Sequence, residues 1–286
     1  MPRTRCPATL RPVEPLHAIA FVAFGLAGGV MGGLLGVGGS VIIIPLATII
    51  LAPDKQQLQG AAMISNIAVA VSAYHRYAKA GRIEWTYAGR IWPSAIACVL
   101  AGVTASLFVD AALFRVLFAV FLLLIAVREF RLLAHPGDHT DDDARELTTA
   151  RGAGVGAVMG FLSGLLGIGG GVAGIPLMRA WAHLPMKRAV VTSVCVMMPL
   201  TMVGATLKAV TLARTPVEGG GNALVPTIMI AACLVPTAMI GSWLGASLNV
   251  RITGRAVRWV LATFLPVSAV WMAWPIVAQW IANAQR

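Results

Sequence analysis

The stretch GGLLGVGGSVIIIPL, residues 32–46, decides the fold because it places helix-weakening residues inside a long apolar segment. Five of its fifteen residues are glycine, and no Lys, Arg, Asp or Glu occurs from position 15 to position 53. Glycine and proline disfavour a continuous helix, whereas hydrocarbon requires that every backbone N–H and C=O be bonded. The stretch therefore predicts a membrane-embedded helix that breaks at residues 36–39.

The composition of the whole chain is that of a membrane protein. Of its 286 residues, 58% are hydrophobic and 12% are charged, and the mean hydropathy is +0.82. A soluble domain carries about 25% charged residues, and several uncharged blocks reach the length of about 20 residues that crosses a bilayer. The net charge of +11 comes from basic residues in short connections, which is typical of cytoplasmic loops rather than of a nucleic-acid surface. We predict an all-α polytopic membrane protein.

The chain contains an internal repeat. Residues 25–46 align with residues 156–177 at a constant offset of 131 positions, and 12 of the 22 aligned residues are identical. Because the repeated segment belongs to the fold, we do not expect the N-terminus to be removed before Gly25. We predict four parts: an N-terminal tail (1–15), a first transmembrane repeat (16–133), an acidic polar linker (134–150) and a second transmembrane repeat (151–286).

Each half is predicted to open with a glycine-broken helix, and the whole chain to have about eight transmembrane segments. The first broken segment has 37 residues and would be about 55 Å long as one helix, against a hydrocarbon core of about 30 Å. A single tilted crossing would make the two halves parallel, whereas a segment that doubles back would make them inverted. The length favours inversion, and the distribution of Lys and Arg does not decide. The predicted segments are 16–52, 57–78, 86–109 and 112–133, then 152–181, 187–210, 222–248 and 255–283.

The glycines fall into two groups. Those at four-residue spacing predict close helix packing in lipid: Gly25, Gly29 and Gly33, and Gly152, Gly156, Gly160 and Gly164. The others predict an unwound break, because unwound backbone at membrane depth occurs where it lines a cavity or is buried in protein. Transporters use such breaks as binding sites, where helix N-termini present N–H groups to anions. We leave open whether the helix restarts at Val41 or at Pro45, since the β-branched run 41–44 could be extended.

On these residues the chain resembles the sulfite exporter TauE/SafE family of membrane permeases. The resemblance rests on the pattern GxGG[GS]xxxxP at 36–45 and again at 167–176, and on Thr192–Ser193, a pair that this family often places in the next helix. In the first half Ala61 and Ala62 stand at the equivalent positions, so the hydroxyl pair is not duplicated. The resemblance implies transport of a small sulfur-containing anion such as sulfite or an organosulfonate.

Other chemistry is not supported by the sequence. Enzymatic activity is not expected, because the predicted spans contain no deep carboxylate, the five histidines lie at segment ends or in loops, and HExxH is absent. Cys6, Cys98, Cys195 and Cys233 form no CxxC pair, so we expect neither a metal nor a cofactor. Gly169, Gly171 and Gly174 match GxGxxG without the strand and acidic residue of a dinucleotide site. Since cation and proton sites in membranes employ buried acids, we predict an anion carrier, with an anion channel and then an intramembrane enzyme as alternatives.

The predicted substrate site combines the two breaks with nearby polar side chains. Asn66 is the strongest candidate among these because an amide in hydrocarbon needs partners, whereas a hydroxyl such as that of Ser65 or Ser163 often bonds its own helix. His75, Arg76, Lys79 and Lys208 are predicted at helix ends, as anchors that extend to the interface, with attraction of anions toward a vestibule as the alternative. The expected partners are a small anion and the lipid of a bacterial inner membrane, without nucleic acid, and a homodimer stays open. The predicted substrate-binding residues are Gly36, Gly38, Gly39, Ser40, Asn66, Gly167, Gly169, Gly170, Gly171, Thr192 and Ser193.

Overall fold

The computed structural model describes residues 15–51, 53–79, 84–134, 147–217 and 221–284. The predicted tail lies outside these ranges except for residue 15, as does most of the predicted linker. Within the described ranges the protein has ten helices and no named strand. The helices are α1 (Pro15–Leu35), α2 (Ser40–Ile50), α3 (Lys55–Ala78), α4 (Trp85–Phe108), α5 (Ala111–Ala134), α6 (Thr149–Leu166), α7 (Gly171–Ala182), α8 (Met186–Ala213), α9 (Leu224–Arg251) and α10 (Gly254–Ala284).

Seven of these helices are long and apolar enough to cross a membrane: α1, α4, α5, α6, α8, α9 and α10. The 24 residues of α3 would extend about 36 Å, which is also sufficient for a crossing, although this helix is more polar. In contrast, α2 and α7 have only 11 and 12 residues. Large apolar side chains such as Leu124 of α5 and Trp243 of α9 are exposed on the outside, as expected where lipid covers them. These features confirm the predicted all-α polytopic membrane protein.

Both glycine-broken segments double back on themselves. A Cβ atom added to Gly28 of α1 would lie 2.8 Å from the carbonyl oxygen of Gly39 and 2.8 Å from Cγ1 of Ile43. In the second half, a Cβ atom added to Gly170 would lie 3.1 Å from the carbonyl oxygen of Met159. The short helices α2 and α7 therefore return along α1 and α6, which explains how a segment longer than the membrane is wide is accommodated.

Helices α3 and α8, which occupy equivalent places in the two halves, run in opposite directions. Gly60 of α3 packs against Leu212 of α8, whereas Met63, one turn further along α3, packs against Gly204, two turns earlier in α8. The residue numbers thus rise along one helix as they fall along the other.

Each broken helix packs on a helix of the other half. Helix α1 lies beside α9 in the same direction, because Gly25 meets Leu234 and Gly33 meets Ser242. Helix α6 lies beside α4 in the same way, with Gly164 against Val99. A side chain at these positions would collide with the backbone of the neighbouring helix, and this confirms the predicted packing role for Gly25, Gly29, Gly33, Gly152, Gly156, Gly160 and Gly164.

Candidate functional site

The first break consists of four residues between α1 and α2. Gly36 and Gly38 have φ of 67° and 89°, in the left-handed region that costs other residues about 1–2 kcal/mol. Gly39, with φ of −71°, is the residue before α2, which begins at Ser40. The helix thus restarts before both Val41 and Pro45, and the alternative of an extended run at 41–44 is wrong. Burial of these apolar side chains inside the bundle outweighs their β-propensity, and Pro45 removes only one hydrogen bond.

The second break has the same length but more left-handed residues. It lies between α6 and α7, and Gly167, Gly169 and Gly170 have φ of 74°, 40° and 80°. Gly171 is the first residue of α7. Both predicted breaks are therefore present, each as a short unwound segment between two helices of opposite direction.

The two breaks are in direct contact. A Cβ atom on Gly171 would overlap the carbonyl oxygen of Gly36 and would lie 2.9 Å from the Cα of Val37. Only glycine fits at this contact, since backbone atoms of the first break occupy the space that a side chain would need. The residue equivalent to Gly171 in the first half is Ser40, so the repeat diverges where the breaks touch.

Asn66, on α3, joins the two breaks through its side-chain amide. Its Oδ1 accepts a hydrogen bond from the backbone N–H of Ser40 at 3.2 Å. Its Nδ2 donates to Oγ of Ser40 at 2.9 Å and to the carbonyl oxygen of Gly167 at 3.3 Å. Asn66 is fully buried, and these bonds supply the partners that an amide at membrane depth requires.

Helix α8 brings hydroxyl groups to the same region. The Ser193 hydroxyl lies 2.8 Å from the carbonyl oxygens of both Gly36 and Val190, so it bonds its own helix and the first break together. In the described part of the chain, the buried hydroxyls of Thr192, Ser65 and Ser163 have no hydrogen-bond partner. An unsatisfied buried hydroxyl costs about 1–3 kcal/mol, which makes these three groups candidates to contact a ligand.

The carbonyl ends of the broken helices are covered by side-chain donors. Tyr77 donates to the carbonyl oxygen of Gly33 at 2.5 Å, and Asn249 donates to that of Leu34 at 2.6 Å. At the end of α6 the corresponding donor is the amide of Gln59, which lies 2.9 Å from the carbonyl oxygen of Leu165. The negative ends of the helix dipoles are therefore neutralised by specific hydrogen bonds.

The amino ends of α2 and α7 remain more open. The residues that precede them, Gly39 and Gly170, have no side chain to cap the first turn, and Ser40 N–H is bonded only by Asn66. Such helix starts carry a partial positive charge of about half a unit each. The starts of α2 and α7 therefore bring partial positive charge to the region where the breaks meet.

Lys208 is the polar residue that the sequence placed wrongly. It was predicted at a helix end, but α8 continues to Ala213 and the side chain is fully buried. Its ammonium group donates to Oε1 of Gln59 and to Oγ of Ser106, each at 3.0 Å, and to Oε1 of Gln56. The signal in the sequence was a pair of glutamines three residues apart, Gln56 and Gln59, at the start of α3. Of the other predicted anchors, His75 and Lys79 are exposed.

One acidic side chain near the end of a span is buried, which the sequence did not indicate. Glu129 of α5 is fully buried, 3.6 Å from the guanidinium of Arg179 on α7 and 3.3 Å from that of Arg128. The sequence did not reveal the ion pair because Arg179 is fifty positions away from Glu129. Since the carboxylate is paired with basic groups, it adds no net negative charge at the breaks.

Comparison with known proteins agrees with this architecture. A relative from Methanocaldococcus jannaschii, described as a probable membrane transporter protein, is 30% identical over 259 residues, covering 88% of this chain and 93% of the relative. The probable membrane transporter protein YunE of Bacillus subtilis is 27% identical over 269 residues, covering 86% and 94%. MamO of Paramagnetospirillum magneticum, which also bears that description, is 23% identical, and the match spans only 44% of its length. The sulfite exporter TauE/SafE family profile matches residues 21–272, and the chain therefore belongs to this family of multi-pass membrane transporters.

Proposed function

We propose that the protein carries a small anion across the bacterial inner membrane and binds it where the two glycine-rich breaks meet. The observation that carries this proposal is the junction of the two breaks, where Gly171 at the start of α7 lies against Gly36, and Asn66 bonds both Ser40 at the start of α2 and Gly167 in the second break. Backbone N–H groups and hydroxyls can hold an anion there without a charged side chain. The proposed ligands are the predicted set, with Ser65 and Ser163 added because their hydroxyls are free within the described residues.

The burial of the proposed site favours a carrier mechanism over a channel. Every residue of both breaks is buried, as are Asn66, Thr192 and Ser193. An open pore would expose these groups to water, whereas a carrier passes through an occluded state. The opposite directions of α3 and α8 support an inverted repeat, and transporters of that design expose a midplane site to the two sides in turn.

The substrate class that we propose is a sulfur oxyanion such as sulfite or an organosulfonate. The description of the matching family names sulfite, and a sulfur oxyanion presents several oxygens that accept hydrogen bonds. N–H and O–H donors from α2, α7, α3 and α8 could surround such a group. The buried ion pair of Glu129 places no unpaired carboxylate at the breaks to oppose it.

The proposal is tested with purified protein in proteoliposomes. We expect saturable uptake of sulfite or ethanesulfonate by the wild-type protein, and loss of uptake in Gly38→Leu and in Gly169→Leu. Both positions require a left-handed φ, so a side chain would distort the break itself. Gly89→Leu is the matched control, because Gly89 has open space around it on α4.

Three results would contradict the proposal in different ways. Normal uptake by both break variants would place the site elsewhere. Fast uptake that does not saturate would indicate a channel. Uptake of chloride equal to that of all sulfur anions would refute the substrate class while leaving anion transport intact.

A further inference from the structure

A second cluster of polar side chains lies at the end of the bundle where α3 begins. It consists of Lys55, Gln56 and Gln59 on α3, Ser106 on α4 and Lys208 on α8, which we call the lysine cluster. Lys55 donates to the carbonyl oxygen of Ser106 at 2.9 Å, and Lys208 donates to the Ser106 hydroxyl at 3.0 Å. Two ammonium groups therefore bind the same residue.

The ammonium group of Lys208 contacts only neutral groups, and the two acidic residues close enough to act on the lysine cluster, Asp54 and Asp110, are exposed. The three hydrogen bonds of Lys208 all go to neutral oxygens, and among the described residues neither lysine forms an ion pair with a carboxylate. The nearby Asp54 and Asp110 instead accept backbone N–H groups: those of Gln56 and Gln57 for Asp54, and that of Leu113 for Asp110. A buried ammonium group without a carboxylate in contact is unfavourable, which makes the lysine cluster a candidate to bind an anion.

The lysine cluster connects the membrane surface with the second break. Lys55 and Gln56 are half-buried, whereas Gln59 and Lys208 are fully enclosed. Gln59 links the lysine cluster to the second break. Its Nε2 donates to the carbonyl oxygen of Leu165, and its Cγ would lie 3.5 Å from a Cβ atom on Gly167. Lys208 is 11 residues from Met197, which contacts Gly169, and this corresponds to about 16 Å along α8.

Among the described residues, the equivalent positions at the opposite end of the bundle do not form such a cluster. At the offset of 131 positions, Lys208 corresponds to Tyr77, Lys55 to Met186 and Gln59 to Val190. Tyr77 is neutral and caps the end of α1. Since the equivalent place in the other half is built without a buried cation, the fold of a repeat does not require one.

We propose that the lysine cluster is a second anion-binding position, on the path between the breaks and the membrane face at which α3 begins. This rests on the proposed function and names the side from which the anion is first captured or finally released. The oxygens of the anion replace the glutamine carbonyls around Lys208. The two glutamine side chains rotate and present their amide N–H groups, since an amide can either donate or accept.

The test measures anion binding and transport separately. The melting temperature of the purified protein is recorded in sodium sulfite, in sodium ethanesulfonate and in sodium chloride at equal ionic strength, because a ligand of the folded state raises it. We expect the sulfur anions to stabilise the wild type and Lys79→Met, an exposed control. Lys208→Met is expected to melt at the same or a higher temperature without ligand, to lose at least half of the anion-induced shift, and to raise the KM for uptake at least tenfold. Lys208→Arg is expected to retain part of the anion-induced shift and to raise the KM for uptake less.

A structural role for Lys208 predicts the reverse pattern. If Lys208→Met melts lower than the wild type but keeps the full anion-induced shift and the wild-type KM, the lysine cluster is not an anion site. That result leaves the function at the breaks intact, because uptake would still depend on Gly38 and Gly169. A wild-type protein that no anion stabilises and that transports none would overturn both proposals.

Discussion

Replacing Gly171 by alanine tests whether the contact between the breaks is essential. Gly171 begins α7 with a right-handed backbone, so alanine introduces no conformational strain, and its effect is steric. The added methyl group would occupy the position of the Gly36 carbonyl oxygen. Neither group can rotate away, because the Gly36 carbonyl is part of the backbone and the methyl group would be attached directly to the backbone of residue 171. The two breaks must therefore separate.

The expected cost follows from the geometry. Overpacking a well-packed interior costs about 1–3 kcal/mol, and a gap of about 0.5–1 Å elsewhere in the contact forfeits a quarter to a half of the local dispersion energy. We expect Gly171→Ala to insert and fold, to melt several degrees lower, and to transport at least tenfold more slowly.

The matched control is Gly167→Ala, which separates steric from conformational effects. A Cβ atom on Gly167 would have ordinary contacts of 3.5 Å, but the residue has a φ of 74°, so its cost is about 1–2 kcal/mol of backbone strain. Thermal unfolding and sulfite uptake of the two variants are compared in the same vesicles. Transport at the wild-type rate by Gly171→Ala would refute the reasoning, because the breaks could then move apart without consequence.

Two further predictions concern buried polar groups. Asn66→Leu leaves the Ser40 N–H and the Gly167 carbonyl unpaired, so we expect a loss of about 1–3 kcal/mol in unfolding free energy together with a loss of uptake; wild-type stability in a denaturation series would contradict this. Glu129→Leu removes the carboxylate beside Arg179, and breaking a buried ion pair costs about 3–5 kcal/mol. The double variant Glu129→Leu/Arg179→Met should recover most of that loss in the same assay, and a double variant less stable than Glu129→Leu would show that Arg179 has a separate structural role.

The helices were largely predictable because their signals are local. Apolar length located the spans, and the boundaries agree to within a few residues, as at α3, which was predicted at 57–78 and found at Lys55–Ala78. The breaks were predictable for the same reason, since Gly36 and Gly38 adopt conformations that other residues avoid. The four-residue glycine spacing likewise predicted close packing, although it did not reveal which helix would be the partner.

The misplaced residues depended on contacts between distant parts of the chain. Lys208 looked like an anchor at a helix end because its partners Gln59 and Ser106 are 149 and 102 positions away. Glu129 does lie near the end of α5, but its burial was not apparent because its partner Arg179 comes from the helix after the second break. For each of them burial is decided by which helices pack together, and the period of a single helix contains no such information.

The positions at which the two repeats differ indicate which residues serve function rather than folding. The glycines that let α1 and α6 approach their neighbours are present in both halves, as packing requires. In contrast, Asn66 corresponds to Met197, Ser40 to Gly171 and Lys208 to Tyr77. A structure with two equivalent halves can fold from a symmetric sequence, but the single site proposed at their junction needs only one amide to join the breaks. The proposed capture position at Lys208 has no counterpart at Tyr77, so it would give the path of the anion a direction.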